Sequence, residues 1–519
     1  MKLFSENKDK LFHYAAIVAY VLLNAFVLFH HEPWRDEAQA WLIARDTNFW
    51  GLLNEIRYQQ NPPLWYLILL PFAKLGLPYP GTLQIIHFLI SVTAVSVFIL
   101  KAPVRPLLKY LFAFSYFMSF EYVIISRNYS IAILLLFLIA SFYPQRFRRP
   151  LFYSVLIFLL FLSNYLCFAP AVGLVVLFAW EFFRQGKPGK DFKIALAIMI
   201  LGGAISFFFG AFLPADHYRH IYPVIPRYYA FFESLTKTLS PFIVIKEGEA
   251  FCSFLAVVIL CFVILAEIRK PQAIFLVLIA YGGVFYILSF YISSLRHQGF
   301  ILVLLWLVYW IAQYYPETDW LPFADRFFRR IPTRKISEAG LMLLGICLAF
   351  SLYFMVVAQK WEVGYHFSGS RVMAQAIKKI SGLIRANHGV IVVHPSPEAA
   401  SVIAYLPGLK FWQADYADYG TYWRQGAQFD YLRRLTSADV VVRAGIYFRG
   451  LDRLFFLLAY PLSFSEAYGY EFKLIDVVNR GVFGYSYETF YLYKAIPLRR
   501  IAKQTILPPD TDSGRKPPS

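Results

Sequence analysis

Two adjacent carboxylates, Asp36 and Glu37, stand in Pro33-Trp34-Arg35-Asp36-Glu37, directly after an apolar run from Leu11 to His30. A carboxyl held at the apolar boundary has its charged form disfavoured, so its pKa rises toward the range where it can take a proton from a hydroxyl. Asp36 is therefore a candidate catalytic acid or base. Glu37 is the candidate second acid, there to orient a partner, bind a metal or favour a helix start. Another reading serves Asp36 on the same footing. It precedes Glu37-Ala-Gln-Ala-Trp-Leu-Ile-Ala, a good helix, and an acid at a helix N-terminus caps N–H groups and meets the positive end of the dipole.

Cations of the right kind recur near the ends of other apolar runs: Arg35, Arg127 and Arg296. A planar guanidinium donates two parallel hydrogen bonds to a phosphate, which suits these residues to a phosphate ligand. His297 adds a donor beside Arg296, and Tyr129 follows two residues after Arg127. The competing explanation is that basic residues at span ends reach the interface and nothing more. Glu121 is either a second carboxylate or a partner for Arg127, and Asn61 opens Asn61-Pro62-Pro63, where the prolines suit a helix start. Trp65 and Tyr66 read as interface anchors.

The elements that must carry these residues are membrane spans. Of the 519 residues 59% are hydrophobic and 19% aromatic, and the mean hydropathy is +0.51. Soluble domains hold roughly 45 to 50% apolar residues. Apolar runs of about 17 to 25 residues, long enough to cross a hydrocarbon core, recur along the chain. We read eleven spans, at 11–30, 82–100, 107–123, 129–143, 151–163, 166–183, 192–213, 251–267, 272–292, 299–315 and 338–358. The run from Asn61 to Leu75 is shorter and is expected to be an interfacial or re-entrant helix. The first run is followed by many others and lacks a small-residue cleavage site, so it is not read as a removable signal.

The net charge of +18 follows this topology rather than a nucleic-acid partner. With the N-terminus cytoplasmic, the inner connections carry Lys101, Arg105 and Lys109; Arg146, Arg148 and Arg149; Arg184, Lys187 and Lys190; Arg269 and Lys270; and Arg326, Arg329 and Arg330, as the positive-inside bias requires. The opposite face then holds Asp36, Glu37, Glu121, the segment 214–250, Arg296 and His297. It also holds everything after about residue 359.

Beyond Lys360 the chain turns mixed and charged. Val390 to His394, followed by Pro-Ser-Pro-Glu398 and a periodic stretch to Leu406, predicts a buried strand running into a helix. Ala438 to Ala444 and Glu488 to Ala495 predict further strands. The organisation expected is a transmembrane domain over 1–358, a small extracytoplasmic α/β domain over 359–500 and a disordered tail over 501–519. Tyr365 to Ser370 and Trp412 to Trp423 are aromatic and polar clusters suited to covering a substrate or packing the domain. Cys167, Cys252, Cys261 and Cys347 lie in or beside apolar spans without metal-type spacing and read as structural thiols.

The order of these motifs carries a resemblance. A first span, an Asp-Glu loop, Asn61-Pro-Pro-Leu-Trp-Tyr66, Ser126-Arg127-Asn128-Tyr129, Leu295-Arg296-His297-Gln298-Gly299 and an outer α/β domain together resemble the C-type (GT-C) integral membrane glycosyltransferases, specifically the protein-mannosyltransferase and aminoarabinose-transferase-like superfamily. It covers about residues 10–315, with Asn61 where members commonly have His. It implies a mostly α polytopic fold, a polyprenyl-phosphate sugar as donor, and a lipid, glycan or protein hydroxyl as acceptor on the outer face. It further implies a bacterial inner (plasma) membrane, Asp36 as base, and an Arg-x-Tyr contact at Arg127 and Tyr129. A divalent metal is left open, since two adjacent acids do not define a site. Two other classes stay in view, a transporter or flippase of lipid-linked sugars and a non-catalytic membrane assembly or sensor protein. The first would place ionisable groups inside spans and break helices at the midplane.

Overall fold

The computed structural model describes residues 2–184, 189–212, 214, 249–288, 295–318, 320, 332–365, 367–426, 429–480 and 488–498. Most of the segment 214–250, Arg326 to Arg330, His366 and the tail 501–519 lie outside them. The chain divides into two compact units, Met1–Phe367 with Arg424–Ala427, and Ser368–Trp423 with Gln428–Ser519.

The first unit is helical. It opens with α1 (Lys2–His30), whose apolar side chains Leu11, Leu22, Phe26 and Phe29 remain exposed, as lipid-facing residues do. Then come three shorter helices, α2 (Arg35–Asp46), α3 (Phe49–Gln59) and α4 (Leu64–Lys74), before α5 (Gly81–Lys101). Among the described residues seven helices are long and apolar enough to cross a membrane: Asp9–His30, Gly81–Lys101, Tyr165–Arg184, Lys190–Gly210, Pro271–Leu288, Leu295–Ala312 and Thr333–Gly364. Tyr129–Gln145, Pro150–Phe161 and Val257–Ala266 are apolar but shorter, as is α4.

The run 107–123 is not one helix. α6 (Pro106–Ala113) ends early, and Phe117–Glu121 forms a π-helical turn closed by Tyr122 N–H on the Phe117 carbonyl at 2.8 Å. Two serines explain the break. Ser115 Oγ donates to Phe112 O at 2.7 Å and Ser119 Oγ to Ala113 O at 2.9 Å, so side chains take carbonyls that a continuing helix needs.

These pieces close on a buried aromatic knot. The ring of Phe98 from α5 lies 4.6 Å from that of Phe112, 5.0 Å from Phe137 and 5.5 Å from Trp306. Such tilted and edge-on pairs bind α5, α6 and the helices Tyr129–Phe142 and Leu295–Ala312 to one another beyond what area alone gives.

The second unit is built on a seven-stranded mixed sheet in the order β3-β2-β1-β4-β7-β6-β5. β1 (Val390–His394) lies parallel to both β2 (Phe411–Gln413) and β4 (Leu454–Leu458), and β7 (Glu488–Pro497) runs antiparallel to β4 and to β6 (Tyr470–Arg480). β3 (Asp418–Tyr419) and β5 (Glu466–Ala467) are short edges. β1 and β4 are buried at every position, as strands covered on both faces must be. The strand expected over Ala438 to Ala444 is instead the helix Ser437–Phe448. Its valines favour a strand, but Thr436 and Asp439 exchange capping hydrogen bonds, and Val440 and Val441 fall on the face that meets the core.

Candidate functional site, an arginine cluster around Asp36

The helix α2 begins two residues earlier than a cap at Asp36 would require. Trp34 is its N-cap residue in extended conformation, and Glu37, three residues on, accepts the Trp34 N–H at 3.1 Å. Glu37 thus performs the acid's half of a capping box. Asp36 is left one step inside the first turn.

Its side chain meets three guanidiniums from three places in the sequence. Arg127 Nη1 donates to Asp36 Oδ2, Arg296 Nη2 lies 3.5 Å from the same oxygen, and Arg35 Nε lies 3.8 Å from Oδ1. The four side chains keep between 13% and 26% of their surface exposed, so a ligand can reach them. Burial by itself would push the Asp36 carboxyl up. The charges of Arg127, Arg296 and Arg35 outweigh it and hold the group well below the usual carboxylate range. The direction is the reverse of the rise expected from the position of Asp36 at the apolar boundary.

Each cation is aimed by its own element. Arg127 sits in the non-helical stretch between the π turn and the helix Tyr129–Phe142, a stretch anchored by Ser126 N–H on Glu37 Oε1 at 2.6 Å. Next to it, the Asn128 amide donates to Ser163 O at 3.1 Å, and Asn164 donates to Asn128 Oδ1 at 3.2 Å. Arg296 stands in the first turn of Leu295–Ala312, where its own carbonyl accepts the Tyr122 hydroxyl at 2.5 Å. Gly299 lies one turn further on, and a Cβ there would collide with the ring of Phe117. The π turn therefore packs directly on the helix of Arg296. Arg35 and Arg296 also lie over the Trp34 ring, 5.4 and 5.7 Å from its centroid.

The remaining sequence candidates fall around this cluster in different ways. Tyr129 is buried, with its ring 6.0 Å from that of His297 and 5.8 Å from Tyr122. Tyr66 is buried within electrostatic reach of Arg127 and Asp36, and its hydroxyl lies beside the Asn61 amide. Trp65 and Tyr66 thus sit inside the protein rather than at its surface as interface anchors. Glu121 is buried in the π turn and accepts from Tyr116 Oη at 3.2 Å, while Arg127 turns to Asp36. Trp412 belongs to the core of the second unit.

Glu37 occupies a different environment from its neighbour. It is fully buried, and besides the N–H groups of Trp34 and Ser126 it meets His31 Nε2 at 3.1 and 3.2 Å. The other nitrogen of His31 lies 3.1 Å from Glu362 Oε1. Burial disfavours the His31 cation, but Glu37 and Glu362 override it and raise its pKa to about 10. Burial likewise works against the Glu37 carboxylate, and His31 with the two N–H donors keeps it low.

Sequence reasoning missed His31 and Glu362. Glu362 carried a usable signal, an ionisable residue within a long apolar helix. His31 carried none beyond its place between α1 and the acidic pair. Among the described residues no three His, Cys, Asp or Glu side chains have the arrangement of a metal site. No protein-family model matches the chain, and no curated protein matches it.

Proposed function

We propose that this protein is a membrane glycosyltransferase that moves a sugar from a polyprenyl-phosphate donor to an acceptor hydroxyl on the outer face. One observation carries the reading. Three arginines from separate segments converge on a single carboxylate at the ends of apolar helices. Counted alone, those four side chains carry a surplus of positive charge suited to an anion, with a proton acceptor in contact.

In the reaction, the acceptor O–H bond breaks and its proton passes to Asp36, while the acceptor oxygen bonds the anomeric carbon. The bond from that carbon to the phosphate oxygen breaks, and its electron pair leaves on the phosphate. Arg127 and Arg296 are the groups that stabilise the developing charge, since donors already aimed at it need no reorganisation. As phosphate oxygens take over those guanidiniums, Asp36 loses the partners that keep its carboxyl low and becomes a better base.

Contacts between segments support the topology this requires. Asp36 meets Arg127, so the chain returns to one level between them, which makes α5 and the broken 106–121 segment a pair of crossings. Asn128 meets Ser163 and Asn164, pairing Tyr129–Phe142 with Pro150–Phe161. Asp36 also meets Arg296, which calls for an even number of crossings among Tyr165–Arg184, Lys190–Ala211, Glu249–Ala266 and Pro271–Leu288. His31 meets Glu362, pairing Leu295–Ala312 with Thr333–Gly364. If all four of those helices cross, these pairs with α1 support a count of eleven, and the positive-inside bias of the basic connections supports an outer position for the cluster.

The test compares lipid-linked sugars and surface glycans, by mass spectrometry, in cells with the wild type, no protein or Asp36→Asn at equal membrane abundance. A lost general base costs about 10²-fold or more in transfer, so a prenyl-phosphate sugar accumulates and a glycan loses one residue in both defective strains. Wild-type glycans in the Asp36→Asn strain would falsify the assignment.

A further inference from the structure

Behind the arginine cluster lies a second set of charges that the transfer step does not use. His31, Glu37 and Glu362 are 0%, 0% and 1% exposed, so none of them can touch a ligand. They come from three places, the end of α1, the first turn of α2 and the last turns of Thr333–Gly364. Stability alone is a poor reason for them. Burying ions costs several kcal/mol per charge, and well-packed apolar residues of the same volume often do as well or better.

Their geometry offers another reason. The Glu37 carboxylate holds Trp34 N–H, two residues before Asp36, and Ser126 N–H, one residue before Arg127. One side chain therefore fixes both backbones just ahead of the residues that make the central ion pair of the site. His31 fixes Glu37 in turn, and Glu362 holds the far side of the imidazole. Rings pack the assembly: Phe367 lies 5.1 Å from the His31 ring and 6.1 Å from that of Trp34.

We infer that His31, Glu37 and Glu362 are positioning residues that hold the Ser126-Arg127 turn against the start of α2 and so set where the Arg127 guanidinium meets a lipid phosphate. The inference rests on the transferase reading for the identity of that ligand. A misplacement of about 1 Å at such a contact is enough to cost on the order of 10²-fold.

The experiment measures binding of a long-chain polyprenyl monophosphate to the full-length protein in lipid nanodiscs, together with its thermal midpoint. His31→Gln and Glu362→Gln are compared with Glu181→Gln, which breaks another shielded ion pair, Arg146 with Glu181 at 2.8 Å, built from side chains outside the Asp36 cluster. A tenfold or greater loss of affinity is expected in the first two. Glu181→Gln is expected to lower the midpoint by a comparable amount with affinity unchanged. Equal affinity in all four proteins overturns the inference, as does a parallel loss in the Glu181 variant. Glu362→Gln keeps the acceptor oxygen and the volume, so it decides the matter if His31→Gln does not fold. If the wild type itself binds no prenyl phosphate, the transferase reading is what fails.

Discussion

Asp36 serves two roles that compete at the level of one side chain. In the free protein it is the counter-anion of Arg127 and Arg296, and in the proposed reaction it is a base that must be released from them. In the proposed reaction a lipid phosphate therefore binds against an internal competitor. Asp36→Asn removes that competitor's charge while keeping its shape. This leads to an uncommon expectation: the variant loses transfer yet binds polyprenyl monophosphate more tightly, by a factor of roughly five if one partly exposed charge pair of about 1 kcal/mol is released. Equilibrium binding in nanodiscs reads the change directly. Weaker binding in Asp36→Asn would mean that the carboxylate assembles the arginines instead of competing for them. Asp36, Arg127 and Arg296, which the structure brings into contact, could be singled out in the sequence because charged residues beside apolar runs are few and their types are distinctive. The division of labour between Asp36 and Glu37 could not be read there. It depends on Ser126 N–H and His31 reaching Glu37 from elsewhere in the chain, and adjacency in sequence says nothing of either.

Among the elements, the break between α6 and Tyr129–Phe142 is where sequence and structure part most. Apolar content over 107–123 reads as a continuous span, but content does not register that Ser115 and Ser119 turn back on the backbone. The resulting π turn presses on Gly299, so Gly299→Ala must move the buried Phe117 ring. Overpacking of this kind costs about 1 to 3 kcal/mol. A lower thermal midpoint accompanied by weaker phosphate binding is expected, because the Tyr122 hydroxyl that holds the Arg296 carbonyl follows directly on the turn. The strut behind the site has its own signature. His31 is flanked by Glu37 and Glu362, with Glu32 acting on Glu362, and its folded pKa of about 10 lies above the unfolded value of about 6.5. A group raised in this way contributes its full stability below pH about 6.5 and loses it as pH rises through about 10. The stability gap between wild type and His31→Gln should therefore narrow steadily from pH 7 to pH 10 in chemical denaturation. A gap that stays constant over that window would mean that His31 is not charged in the folded protein.

For the whole molecule, the question is how many times the chain crosses. Length and apolarity alone favour seven helices, and these place residue 190 on the same side as Asp36, because α5, Tyr165–Arg184 and no others would then intervene. The polar contacts favour eleven, because each joins two positions that a helix pair has brought back to one level. A 14-residue helix such as Tyr129–Phe142 rises only about 21 Å, short of a core of about 30 Å. Its ends are prolonged by the Asn128 network on one side and by Tyr143, bonded to Tyr315 at 2.5 Å, on the other. The two counts differ at Lys190, which the eleven-crossing topology puts in the cytoplasm with the other basic connections. Single cysteines in a background with Cys167, Cys252, Cys261 and Cys347 each replaced by Ser separate them: Gln60→Cys marks the outer face, Arg334→Cys the inner face, and Lys190→Cys decides. Protection of Lys190→Cys from an impermeant maleimide in intact cells, lifted on permeabilisation, is the expected result. Labelling of Lys190→Cys alongside Gln60→Cys would leave seven crossings, and Arg127 could not then share a face with Asp36 as the ion pair between them demands.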